Sequence, residues 1–211
     1  MALTEKIKEH LKRCENAMQS AKPILAKPHF PTDERNLAVI GFVSMLIEHQ
    51  ESLLVLVMHE KTGSAFALAR PIVEGAYRGM WLNLPATDGE VKKFIEKDKI
   101  DLEFGEIAKS LDAAYSTGAF FQNLKTRSWK ALNSYTHGGM LQIGRRYTKH
   151  ELINNYAEGE IYEMCSAVTT VVLVMICVFL KKHKHADLGL EIDKLVETYG
   201  PVADGAKAVT K

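Results

Sequence analysis

Seventeen consecutive residues, Met164 to Leu180, carry no charge. Glu160 and Glu163 stand just before them, and Lys181, Lys182 and Lys184 follow. A run of this length sits at the lower edge of what can span a bilayer. Ser166, Thr169 and Thr170 interrupt it, and the flanking acids disfavour insertion. A helix that is apolar all round must otherwise be surrounded by partners. The run is therefore expected to be the central helix of a bundle, buried within one chain or shared at a dimer interface, with the lysines complementing its dipole. No membrane partner is expected.

The rest of the chain supplies those partners. Ile7, Leu11, Cys14, Met18, Ala21 and Leu25 alternate steps of four and three, which predicts a helix from Glu5 to Ala21 with one buried seam. Pro23, Pro28 and Pro31 then predict a stiff connector. Thr32, followed by Asp33 and Glu34, reads as the cap of a long helix that Gly63 would stop. Ser64 would cap the next helix, kinked by or starting near Pro71 and closed by Pro85. A polar helix opens at Asp88 and breaks near Asp101, and another runs after Gly118 to Gly138-Gly139. A loop continues to Thr148, which with Glu151 fits a capping box for a short helix. The last helix is predicted over Asp187–Thr198, ended by Gly200-Pro201. Strand alternation and repeats are absent from this pattern. The fold class is thus all-α, a bundle of four or five long helices with short accessory helices. Residues 1–200 form one domain, and 201–211 are expected to be a disordered tail.

Composition bounds the function. The chain has 211 residues, 46% hydrophobic and 25% charged, with a net charge of +1. No global field draws it to nucleic acid, so DNA is not an expected partner, and any polyanion would need a local patch. Cys14, Cys165 and Cys177 are an odd set without metal spacing, each in an apolar stretch. With a charged N-terminus and no apolar leader, they suggest a reducing, cytoplasmic setting. No Walker loop, dinucleotide fingerprint or nucleophile elbow occurs, so no cofactor or metal is expected. Glu48-His49 and Glu51 lack the Glu-x-x-His spacing of carboxylate-bridged metal centres and read as a polar waist.

Two constellations could carry chemistry. Arg70, Glu74 and Arg78 step by four in an otherwise apolar helix, so one carboxylate can pair with two guanidiniums. The row is solvated, a structural pin, or the floor of an anion pocket. In Asn133-Ser134-Tyr135-Thr136-His137-Gly138-Gly139 an imidazole ends a helix before two glycines, with Gln142, Arg145 and Arg146 shortly after. His137 could act as acid or base, or simply close the helix. Arg78 and His137 are expected to reach one cleft, since both end apolar helices that should pack together.

The segments ARPIVEGAYRGMWL and LNSYTHGG together resemble uncharacterised bacterial proteins of the HEPN-like (higher eukaryotes and prokaryotes nucleotide-binding) helical superfamily. The likeness covers residues 35–180 in layout and those two segments in motif. It implies a homodimeric helical bundle, either an RNA-cutting toxin or an inactive nucleotide-binding or antitoxin-like member, often in phage defence. Asn133 and His137 match half of the superfamily's Arg-Asn-x-x-x-His pattern, but Leu132 stands where the arginine belongs. Metal-independent RNA cleavage needs a cation near the phosphorus. The resemblance thus favours a non-catalytic binder of a nucleotide, an RNA phosphate or a small anion, through Arg70, Glu74, Arg78, Asn133, Tyr135, His137, Gln142 and Arg145. A ribonuclease toxin using His137 and a ligand-free interaction protein are the alternatives.

Overall fold

The computed structural model describes residues 3–199, and among them the chain is all-α. The helices are α1 (Glu5–Leu25), α2 (Glu34–Met58), α3 (Thr62–Asn83), α4 (Asp88–Lys97), α5 (Phe104–Tyr115), α6 (Phe120–Thr136), α7 (Met140–Ile143), α8 (Glu158–Lys182) and α9 (Ala186–Tyr199). Five of them, α1, α2, α3, α6 and α8, are long, and the rest are accessory. The tail from residue 201 and the Gly200-Pro201 stop lie outside the described residues.

The uncharged run is the centre of the bundle. α8 packs against α1, α2, α3 and α9, and Val172, Leu173, Met175, Ile176, Phe179 and Leu180 are fully enclosed. α2 and α8 are both long and apolar enough to cross a bilayer, but most of α8 is covered by the other helices. The seam of α1 is buried as its spacing predicts. His10 lies beside that seam, stacked 3.5 Å from the Tyr162 ring with its Nε2 3.0 Å from Ser166 Oγ. Burial lowers its pKa. The three cysteines are unbridged and buried, and burial pushes each thiol up, Cys177 to about 11. They behave as small hydrophobes.

Several helix ends differ from the sequence reading. α1 continues to Leu25 through Pro23, because a proline in the last turn removes one donor without breaking the helix. Asp33, rather than Thr32, caps α2, its carboxylate accepting from Asn36 N at 3.1 Å. Gly63 does not stop α2, and Ser64 does not cap α3. The chain reverses at Glu60, which adopts φ +59°, and Gly63 lies in the first turn of α3. The Arg146 guanidinium and the Tyr156 hydroxyl lie on this glycine, so a Cβ there would have to displace the arginine side chain. Thr148 and Glu151 close a turn rather than start a helix, with Thr148 N donating to Glu151 O at 2.8 Å. Residues 145–147 and 153–155 then bond to each other as a short ribbon, Asn155 N to Arg145 O at 2.8 Å. Such pairing satisfies the backbone without a helix.

The α5–α6 corner orients α6, the helix that carries the second motif. Ala119, at the start of α6, has no capping side chain. Asp112 of α5 does that work from a distance: its carboxylate accepts from Phe121 N at 2.9 Å, Gln122 N at 3.1 Å and Thr117 Oγ1 at 2.7 Å. Burial pushes this carboxyl up, but the hydrogen bonds prevail and hold its pKa below the usual value. A folded-state pKa below the unfolded one means that stability is full above the unfolded pKa and is lost as pH falls through the folded one. Asp112→Asn should destabilise the protein by about 2 kcal/mol at neutral pH. Urea titrations should show the gap to wild type closing as pH is lowered into the carboxylate range.

Candidate functional site

The site forms where α3 and α6 run antiparallel. Tyr77 Oη donates to Phe121 O at 2.9 Å near one end of the pair, and Thr136 meets Ala67 near the other. α3 starts at Thr62 and continues through Pro71, so the alternative of a start near Arg70 does not hold. Proline has no N–H, so the carbonyl four residues earlier, that of Ala67, loses its helical donor. Thr136 Oγ1 lies 3.1 Å from that oxygen and 3.0 Å from Leu132 O, and its hydroxyl is the donor at hand. The helix is mended from outside, and α6 is pinned by the repair.

The pin brings two rows of side chains face to face. Arg70, Glu74 and Arg78 step along α3, and Trp129, Asn133 and His137 step by four along α6. Arg70 is the junction. Its Nη1 meets His137 Nε2, its guanidinium lies 4.9 Å from the Trp129 ring centre, and its Nε lies 3.4 Å from Glu74 Oε2. Arg78 Nη2 donates to Glu74 Oε1 at 2.6 Å. The side chains are 19%, 23% and 42% exposed for Arg70, Glu74 and Arg78, so the row runs from a mostly buried end to an open one. Two guanidiniums share one carboxylate, leaving a positive charge uncompensated at the open end.

That end borders a cleft of about 340 Å³. Aromatic rings build its wall: Trp129 stacks on Phe104 at 3.9 Å, and Phe104 on Tyr77 at 4.8 Å. The α4–α5 connector crosses the mouth with Asp98, Lys99, Ile100 and Leu102. Charged residues of the lining are Arg70, Arg78 and Lys99 against Glu74 and Asp98, three minus two, or one net positive charge. Lys99 is anchored 3.2 Å from Asp101, whose carboxyl is held below its usual range by Lys93 and Lys99. The rings stack on one another and Arg70 lies over Trp129, so the wall offers an apolar border rather than a free ring face, and the arrangement can hold an anion against Arg78.

The predicted residues divide between two places. Arg70, Glu74, Arg78, Asn133 and His137 belong to the facing rows; the Asn133 amide oxygen is buried without a hydrogen bond. His137 joins at the Arg70 end, whereas the cleft opens at Arg78. Tyr135 points elsewhere, buried 4.7 Å from the Phe66 ring and 6.4 Å from that of Tyr156. Gln142 donates to Gly63 O at 3.1 Å, and Arg145 binds Glu160 and, at 3.3 Å, Asn155 O. Tyr135 and Gln142 brace the first turns of α3, and Arg145 braces the start of α8. Sequence reasoning missed Trp129, Phe104 and Lys99. Trp129 was findable, since its spacing to Asn133 and His137 repeats that of Arg70, Glu74 and Arg78. No group of three His, Cys, Asp or Glu side chains able to hold a metal lies among the described residues.

Fold and site define an all-α protein with a cationic, aromatic-walled cleft between antiparallel helices. The chain belongs to a family of unknown function (DUF6988), whose model matches residues 43–201. The match takes in both facing rows and the cleft but leaves out α1. No curated protein and no solved structure matches the chain.

Removing the shared carboxylate should cost more than removing either exposed charge it holds. Glu74→Ala leaves two guanidiniums facing each other and should destabilise by about 1–2 kcal/mol, after allowance for partial exposure. Arg78→Ala keeps the Arg70–Glu74 pair and should cost less than about 1 kcal/mol. Equal losses in urea denaturation would contradict this reading of the row.

Proposed function

We propose that the protein is a HEPN-like, non-catalytic binder of a phosphate-bearing ligand, a nucleotide or an RNA phosphate, acting in phage defence or a toxin–antitoxin pair. The observation that carries the reading is the half-exposed guanidinium of Arg78, which shares the Glu74 carboxylate with Arg70, at the mouth of a cleft walled by Trp129 and Phe104. A guanidinium that reaches open water beside an apolar border suits the phosphate of a nucleotide or of RNA. The charge distribution supports it. Between Ala113 and His150 there is no acid, while Lys125, Arg127, Lys130, Arg145, Arg146 and Lys149 are all basic. This segment includes α6, which carries Trp129 of the cleft, and so gives a chain of net charge +1 a local excess of basic residues.

A homodimer belongs to the same proposal. Met140, Leu141, Ile143, Tyr147 and Leu152 are exposed together just beyond His137, and Leu152 is 88% exposed. An apolar cluster of this kind suits a second copy. A monomer in light scattering would remove this part.

A second reading, a metal-independent ribonuclease, has one specific support. Arg70 meets His137, so a cation stands beside the imidazole although the sequence motif lacks its arginine. Titration with mononucleotides and a short single-stranded RNA separates the two. Binding with intact RNA, weakened about tenfold or more by Arg78→Ala at unchanged fold, is expected for the binder. Cleavage of the RNA that His137→Ala abolishes would establish the ribonuclease, and no binding of any phosphate ligand would defeat both.

A further inference from the structure

A larger cleft, of about 600 Å³, lies on another side of the bundle, between the C-terminal end of α1 and the middle of α2. The two helices pack against α8 more than against each other, and Phe179 of α8 closes the bottom. Phe30 of the proline connector, its ring 4.6 Å from that of Phe179, forms one wall. Ile40, Val43 and Ile47 of α2 form the other. A cleft of this size with an apolar floor and a few polar groups is what a small-molecule site requires.

The polar groups all lie at one end and have a sign. Lys22 is paired with Glu51, which also accepts from Gln19 Nε2 at 3.3 Å. Glu48 lines the same end and has no hydrogen-bond or ion-pair partner among the described residues. Glu48 and Glu51 against Lys22 leave one net negative charge. The unpaired group is therefore a carboxylate at the mouth of an apolar slot. It attracts a cationic head and repels an anionic one, while the floor takes the hydrocarbon.

We infer that this cleft is a binding site for an amphipathic amine, its alkyl or aryl body on the partly exposed Leu25, Phe30 and Ile40 and its ammonium on Glu48. The site is separate from the α3–α6 cleft and from the phosphate-binding reading. Calorimetric titration at neutral pH with matched n-alkyl amines, alcohols and carboxylates of increasing length tests it. Affinity should rise about threefold per methylene until the cleft is filled. The amine should bind at least about fivefold tighter than the carboxylate of equal length, the scale of an exposed ion pair. Glu48→Gln should bring the two within about twofold, and Ser44→Trp, which adds bulk at an exposed position on the rim, should abolish binding of all three. Both substitutions lie at exposed positions, so the fold survives them. No binding, binding indifferent to the head group, or binding unaffected by Ser44→Trp would overturn the assignment.

Discussion

A single missing hydrogen organises the site. Pro71 occupies the middle of a helix whose neighbours on every buried side demand continuity, and its ring deprives Ala67 of the donor that an ordinary residue would supply. A buried or half-buried carbonyl left unpaired costs about 1–3 kcal/mol. Thr136, at the last turn of α6, stands within 3.1 Å of that oxygen. The repair fixes both the register and the depth of α6 against α3, and His137 and Trp129 meet Arg70 because that register is fixed. The two segments that drew notice in the sequence, ARPIVEGAYRGMWL and LNSYTHGG, are thus the two halves of one joint.

Charge placement depends on the same joint. The Arg70 end of the row is mostly covered by α6, and its guanidinium is matched there by Glu74, the imidazole of His137 and the face of Trp129. Arg78 shares the same carboxylate but reaches open water. The row carries one more cation than anion and grows more exposed toward Arg78, which is where an anion can reach it. α8 gives this asymmetry its support: mostly enclosed, it packs against α1, α2 and α3 while the polar work is done at the edge of the bundle.

Much of this was legible from the residues. The seam of α1, the enclosed run of α8, the stop at Pro85 and the turn at Gly138 follow from spacing and from the conformational limits of proline and glycine. Other features depend on contacts distant in sequence, which local pattern does not encode. Gly63 looks like a helix stop until Arg146 and Tyr156, more than eighty residues later, are seen lying on it. Pro71 looks like a break until Thr136 supplies a donor. The Thr148–Glu151 spacing suits either a capping box or a turn, and the ribbon pairing with residues 153–155 decides for the turn. Arg145 and Gln142 sat close in sequence to His137, but Glu160 draws Arg145 to the start of α8 and Gly63 draws Gln142 to the start of α3.

The most direct test of the joint is a double-mutant cycle on Pro71→Ala and Thr136→Val, read by chemical denaturation. Restoring the backbone donor at position 71 should make the hydroxyl redundant. Thr136→Val should therefore cost about 1 kcal/mol or more with Pro71 present and close to nothing beside Pro71→Ala. The same loss in both backgrounds would mean that Thr136 does not answer the proline, and the account of how α6 is registered on α3 would fail.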